Sequence, residues 1–184
     1  IAVGNIIKTT AINDGPGPAH GIYLSADGNL ITNNTINVTG VNASGIVVRD
    51  NNNIIIENNI TQAGKHGFFF DPTSFKDNNT IRNNTLSNIG GSEIYFDNGN
   101  MNFTFLIDQP LKSYTLANNL IVVRNTSFGE INFTQGLTGS GTNFNADVAI
   151  GNNSITVRSD LNSGLNKTAY INITGSLGAT LYLT

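Results

Sequence analysis

Along the first hundred residues, short apolar runs alternate with stretches rich in asparagine, threonine and glycine, and the alternation recurs. Ile31-Thr32-Asn33-Asn34-Thr35-Ile36 returns as Ile56-Glu57-Asn58-Asn59-Ile60 and again as Ile81-Arg82-Asn83-Asn84-Thr85-Leu86, with the Asn pairs 25 residues apart each time. Ile7-Lys8-Thr9-Thr10-Ala11-Ile12 is a degenerate earlier copy. A second element keeps step: His20-Gly21-Ile22-Tyr23-Leu24, Ser44-Gly45-Ile46-Val47-Val48, His66-Gly67-Phe68-Phe69-Phe70 and Ser92-Glu93-Ile94-Tyr95-Phe96, at spacings of 24, 22 and 26. Apolar residues at every second position mark a strand, and strands returning every twenty-odd residues mark a solenoid. A helical leucine-rich array needs a leucine framework, whereas this chain has isoleucine with asparagine turns.

Stacking turns about 4.8 Å apart fixes where side chains go, because alternate strand residues face opposite sides. Ile22 and Leu24, Ile46 and Val48, Phe68 and Phe70, and Ile94 and Phe96 are expected inside. Tyr23, Val47, Phe69 and Tyr95 form an outward stripe between them, which should meet a partner surface. Asn34, Asn59 and Asn84 are expected at one bend, where their amides can hydrogen-bond from turn to turn as a ladder.

These residues carry a resemblance. The chain resembles the pectate-lyase-like right-handed parallel β-helix superfamily, whose repeats show the Ile-x-Asn-Asn-x-Ile pattern and such a ladder. The likeness covers residues 1–100, about four coils. It implies a polysaccharide cleft on the outer face of the Gly-Ile-Tyr-Leu strand, and His66-Gly67 is similar to the His-Gly pair of galacturonases. Ser25, Arg49, Asp71 and Asp97 would stack there, with Asp71 and Asp97 about 5 Å apart between backbones, a spacing suited to glycosidase acid/base work or to sharing Ca²⁺. Against chemistry, Arg49 is placed to pair with Asp71, Asp97 opens an Asp-Asn-Gly-Asn turn, and other galacturonase acidic motifs are missing. His20 and His66, two turns apart at about 10 Å, are too far to share a metal. No catalytic, cofactor-binding or metal residue is assigned.

After Asp97-Asn98-Gly99-Asn100 the repeat ends. Strands are expected at 102–107, 120–125, 130–134, 147–150, 154–158, 168–174 and 179–183, with turns at 136–142 and 160–166. Residues 101–184 thus read as an immunoglobulin-like β-sandwich, loosely similar to domains of large prokaryotic surface proteins. The fold class expected is all-β: a short parallel β-helix, then a sandwich.

Composition sharpens the picture. Only 11% of residues are charged, the net charge is −3 and Lys plus Arg total nine, so no basic patch for nucleic acid exists. No apolar run is long enough to span a membrane as a helix. Cysteine is absent. The chain opens on strand-like Ile1-Ala2-Val3 with no signal peptide, which reads as a processed or excerpted product.

The 31 Asn and 32 Ser plus Thr would give about five Asn-x-Ser/Thr sequons by chance, yet there are twelve. Eleven are expected to carry N-linked glycans: Asn33, Asn37, Asn42, Asn78, Asn83, Asn102, Asn125, Asn132, Asn152, Asn166 and Asn172. The twelfth, Asn59, is expected to point inward and carry none. No other cofactor is expected.

The function expected is a structural subunit of an extracellular, glycosylated filament or cell-surface assembly, joined head to tail through open β edges. Self-association could use a donated strand, 1–7 or 179–184. The stripe Tyr23, Val47, Phe69 and Tyr95 reads as an interface first and a carbohydrate platform second. The alternatives are a polysaccharide-binding or polysaccharide-degrading module, with Asp71, Asp97 and the aromatic stripe as its site, and an excerpt of a large adhesin.

Overall fold

The computed structural model describes residues 1–10, 18–71, 78–97, 104–108, 112–158 and 163–174, with backbone alone for 104–108. Strands come in sets of three. They are β1 (Ala2–Val3), β2 (Ile6–Thr9) and β3 (Ile22–Leu24), then β4 (Leu30–Thr32), β5 (Thr35–Val38) and β6 (Ile46–Val48). Next follow β7 (Ile54–Ile56), β8 (Asn59–Ala63) and β9 (Phe68–Phe70), then β10 (Asn79–Arg82), β11 (Thr85–Leu86) and β12 (Ile94–Phe96). Each strand pairs in parallel with its counterpart one set on. The result is a short three-sided solenoid: a first sheet β1-β4-β7-β10, a second β2-β5-β8-β11 and a third β3-β6-β9-β12.

The inward columns are those the alternation demands. Ile31, Ile55 and Ile81 line the first sheet, Ile36 and Ile60 the second, and Ile46, Phe68 and Ile94 the third, all buried. Leu24, Val48, Phe70 and Phe96 follow on the third sheet, where Phe70 and Phe96 stack at 4.5 Å. Each such side chain contributes about 1.5–3 kcal/mol through burial. Gly21 and Gly45 sit where this sheet enters its strands. A Cβ on Gly45 would lie 2.8 Å from the Gly67 carbonyl oxygen and 2.9 Å from Ile60 Cγ2, so the backbones stack there only without side chains.

Two kinds of corner bend the chain. Between the first and second sheets, Gly4, Asn33, Glu57 and Asn83 take positive φ (66°, 56°, 56° and 52°), each followed by a ladder asparagine. Asn5 donates its side-chain amide to Asn34 Oδ1 at 3.0 Å, Asn34 to Asn58 at 2.9 Å and Asn58 to Asn84 at 3.0 Å. The same Oδ1 atoms accept backbone N–H groups of Asn5, Asn34 and Asn58. The ladder therefore runs through Asn58, and the expectation for Asn59 is corrected. Ile55 pairs with Ile31, which puts Glu57 on the left-handed site and leaves Asn59 exposed opposite Thr35. A bulge after Ile60 restores the register.

A second ladder runs along the corner entering the first sheet. There Gly28, Asn52 and Asn78 have positive φ, and Asn29 donates to Asn53 and Asn53 to Asn79, both at 3.0 Å.

Downstream, β13 (Thr104–Asp108) extends the first sheet in parallel with β10. The twelve-residue β14 (Tyr114–Asn125) starts on the third sheet, with Tyr114 opposite Ile94, and ends on the first, with Leu120 opposite Thr104. It turns between them at a bulge around Asn118 (φ 62°). One strand thus bridges two faces of the solenoid.

Against β14 lie, antiparallel, β15 (Gly129–Phe133) and β16 (Leu137–Gly141). A four-residue helix α1 (Phe144–Asp147) leads to the hairpin β17 (Val148–Gly151) and β18 (Ser154–Val157), and β19 (Ala169–Ile173) pairs with β15. Tyr114, Phe133, Phe144, Ile155 and Leu165 belong to the same buried core as the solenoid isoleucines. Tyr114 also donates its hydroxyl to Asp147 Oδ2 at 2.8 Å.

The turn expected at 136–142 is instead strand β16, because Leu137 is fully buried and its glycines serve an edge strand pairing with 114–119. The strand expected at 179–183 lies outside the described residues.

Candidate functional site

Parallel pairing of β3, β6, β9 and β12 places Tyr23, Val47, Phe69 and Tyr95 in one outward column, as expected. They do not form a continuous exposed stripe. Tyr23 is 45% exposed and Phe69 and Tyr95 are partly exposed, but Val47 is fully buried. Val47 stands in register between Tyr23 and Phe69 of the turns on either side.

Imidazoles flank the column. His20 Nδ1 accepts the Ser44 N–H at 3.0 Å, and His66 Nδ1 accepts the Ser92 N–H at 3.2 Å. In this geometry Nε2 carries the proton of the neutral ring. His66 stacks on Tyr95 at 4.2 Å, and His20 on Tyr23 at 6.0 Å. Burial, reinforced by the Lys65 ammonium, pushes His66 down to about 4, and the same two causes lower His20. Both rings are therefore neutral at pH 7. The two histidines are separated by the Ser44 turn, and among the described residues no group of three His, Cys, Asp or Glu could hold a metal.

The next column along the strands is charged. Arg49 N–H donates to the Leu24 carbonyl, Asp71 to Val48 and Asp97 to Phe70, so Ser25, Arg49, Asp71 and Asp97 continue the register. Arg49 Nε lies 3.6 Å from Asp71 Oδ2, the pairing the sequence suggested. Its Nη1 also donates to the Tyr23 hydroxyl at 2.6 Å, with the guanidinium 5.6 Å from that ring's centroid. Lys65 Nζ sits 5.6 Å from the Phe69 centroid. Lys65 and the buried Ser44 were not singled out in the sequence. Lys65 precedes the His66-Gly67 pair, and Ser44 holds the position in its own repeat that His20 and His66 hold in theirs.

Together Pro18, His20, Tyr23, Asn42, Ser44, Lys65, Phe69 and Asp71 line an open cleft of about 520 Å³. Two phenyl rings, one imidazole, one ammonium, one ion-paired carboxylate and two polar side chains converge on it beside Pro18. Such a mixture suits a hydroxyl-rich ligand with apolar ring faces.

One sequon, Asn42-Ala43-Ser44, borders the cleft, and the others lie away from its lining. Asn33, Asn42, Asn59, Asn78, Asn83, Asn152, Asn166 and Asn172 are exposed, while Asn37, Asn125 and Asn132 are half-exposed. Asn102 lies outside the described residues.

Fold and cleft together define a parallel β-helix protein that is all-β apart from one short helix and one 3₁₀ turn among the described residues. The family described as "Right handed beta helix region" matches residues 4–108, more than half of the chain, and the protein belongs to that family. No curated protein and no solved structure matches it. No helix among the described residues is long and apolar enough to cross a membrane.

Proposed function

We propose that this chain is a polysaccharide-binding β-helix module, with the third-sheet cleft as its sugar site. The observation that carries the reading is the pair of rings, Tyr23 and Phe69, set two turns apart around a cleft rimmed by Asn42, Lys65 and Asp71. Two turns of a solenoid are about 10 Å, close to the repeat of a disaccharide, so the two rings can meet alternate sugars of one bound chain. Lys65 adds a cation at the wall, which favours sugars bearing carboxylates. Bond cleavage is not part of the proposal, since Asp71 is engaged by Arg49.

Affinity electrophoresis in gels containing neutral or acidic polysaccharides tests it. The protein should be retarded by at least one, most strongly by an acidic one. Tyr23→Ala combined with Phe69→Ala should lose at least about tenfold in affinity, or 1.4 kcal/mol, with an unchanged circular dichroism spectrum. Free migration in every gel would sink the reading, and released reducing or unsaturated ends would convert it into an enzyme.

A second reading is a self-associating extracellular structural subunit, in which residues 101–184 serve as a sandwich-like surface-protein module. It is supported by Val41 and Tyr170, apolar side chains that are 63% and 74% exposed. Sedimentation over a range of concentrations tests it, and a single monomeric species throughout would remove it.

A further inference from the structure

Asparagine does two separate jobs in this molecule. The buried asparagines Asn34, Asn53, Asn58, Asn79, Asn84 and Asn119 all hold turns or bulges together, and none of them begins an Asn-x-Ser/Thr sequon. Every described asparagine that does begin one is exposed or half-exposed. The enrichment that builds the ladders is therefore not the source of all the sequons.

The corner between the first and second sheets makes the point residue by residue. Asn33 and Asn83 occupy its left-handed position, with their side chains in solvent. Left-handed Asn, ladder Asn and strand Thr follow one another there, so the fold alone accounts for those two sequons. Glu57 holds the left-handed position in the turn between, and that turn carries its sequon two residues later, at Asn59. Asn59 is in neither ladder and has no positive φ. It faces outward between Thr35 and Thr85, at a strand position where asparagine is disfavoured. Nothing in the packing asks for it.

We infer that Asn59 is an N-linked glycan attachment site, on the turn between those that carry Asn33 and Asn83. Asn37 lies on the same sheet. The sequon that borders the third-sheet cleft is Asn42, whereas Asn59 lies on the second sheet. Attachment forms a bond between Asn Nδ2 and the anomeric carbon of a lipid-phosphate-linked oligosaccharide. The anomeric C–O bond breaks, the lipid phosphate departs with its electron pair, and one amide proton is lost.

Glycopeptide mass spectrometry of protein purified from its native source tests the inference. The peptide containing Asn59 should carry an oligosaccharide increment. That on Asn59 should vanish in Thr61→Ala and persist in Thr61→Ser, which keeps the sequon hydroxyl. An Asn59 peptide found only at its unmodified mass overturns the inference, whatever Asn33 and Asn83 carry. The cleft reading is independent of this result, because the polysaccharide gels can be run on unglycosylated recombinant protein.

Discussion

Asn34 donates its side-chain amide to Asn58 Oδ1 at 2.9 Å, and its backbone N–H reaches the same oxygen at 3.0 Å. Asn58 in turn donates to Asn84 Oδ1, Ile31 O and Ile56 O, each at 3.0 Å. One buried amide thus satisfies groups on three turns.

Asn58→Ala should therefore be far more damaging than Asn59→Ala, although the residues are adjacent. Removing the Asn58 amide leaves several buried polar groups without partners, at about 3 kcal/mol or more in total. Asn59 is exposed, and its loss should stay within about 0.5 kcal/mol. Urea denaturation of the two variants measures the difference, and equal midpoints would refute the ladder register.

Glu57 bears a side chain at φ 56°, a backbone region that costs a non-glycine residue about 1–2 kcal/mol. Asparagine occupies the equivalent corner site at Asn33 and Asn83. Glu57→Asn is expected to raise stability by about 0.5–1 kcal/mol. Thermal melts should show a higher midpoint, and a lower one would contradict the assigned strain.

His66 has its pKa lowered from 6.5 to about 4 by burial first and by Lys65 second. Between those pH values the unfolded chain binds a proton that the folded chain refuses. The stability contribution is complete above pH 6.5 and falls as pH drops toward 4, by about 3 kcal/mol at most. His20, lowered for the same reasons, adds to the trend in the same direction. Stability measured from pH 7.5 to 4 should decline over this window, and His66→Gln should flatten the decline even if the variant starts lower.

Gly45→Ala should destabilise strongly, because the new methyl would meet the Gly67 carbonyl oxygen at 2.8 Å and Ile60 Cγ2 at 2.9 Å. One obstacle is backbone of the next turn, so relief requires parting two strands, and a loss of about 2–3 kcal/mol follows. A melting temperature equal to the parent's would show that the turns are less closely stacked.

The solenoid and its inward columns were legible because alternate apolar positions leave little freedom: Ile46, Phe68 and Ile94 could face only the core. Ladder register was harder. The pairs Asn33-Asn34, Asn58-Asn59 and Asn83-Asn84 are evenly spaced in sequence, which hides a one-residue offset set by the stacking of Ile31, Ile55 and Ile81. Glu57 on a site otherwise held by glycine or asparagine was the disguise. The second ladder had its own signal in Gly28-Asn29, Asn52-Asn53 and Asn78-Asn79, masked by general asparagine abundance. Val47 holds its expected column yet is buried, because facing outward does not mean meeting water at a small residue in register between Tyr23 and Phe69. The cleft's Lys65 had no periodic marker, since it projects from a bend where turn lengths differ.

The passage of β14 from the third sheet to the first has an evolutionary corollary. A strand laid across two walls acts as a lid, so growth by duplication must insert new rings ahead of it. Because Ile31 registers with Ile55, a copied block of residues 31–54 spliced after itself would keep every side chain on its own wall. Relatives could differ in barrel height by whole rings while sharing the same closure, and engineered variants of different length could be built by the same splice.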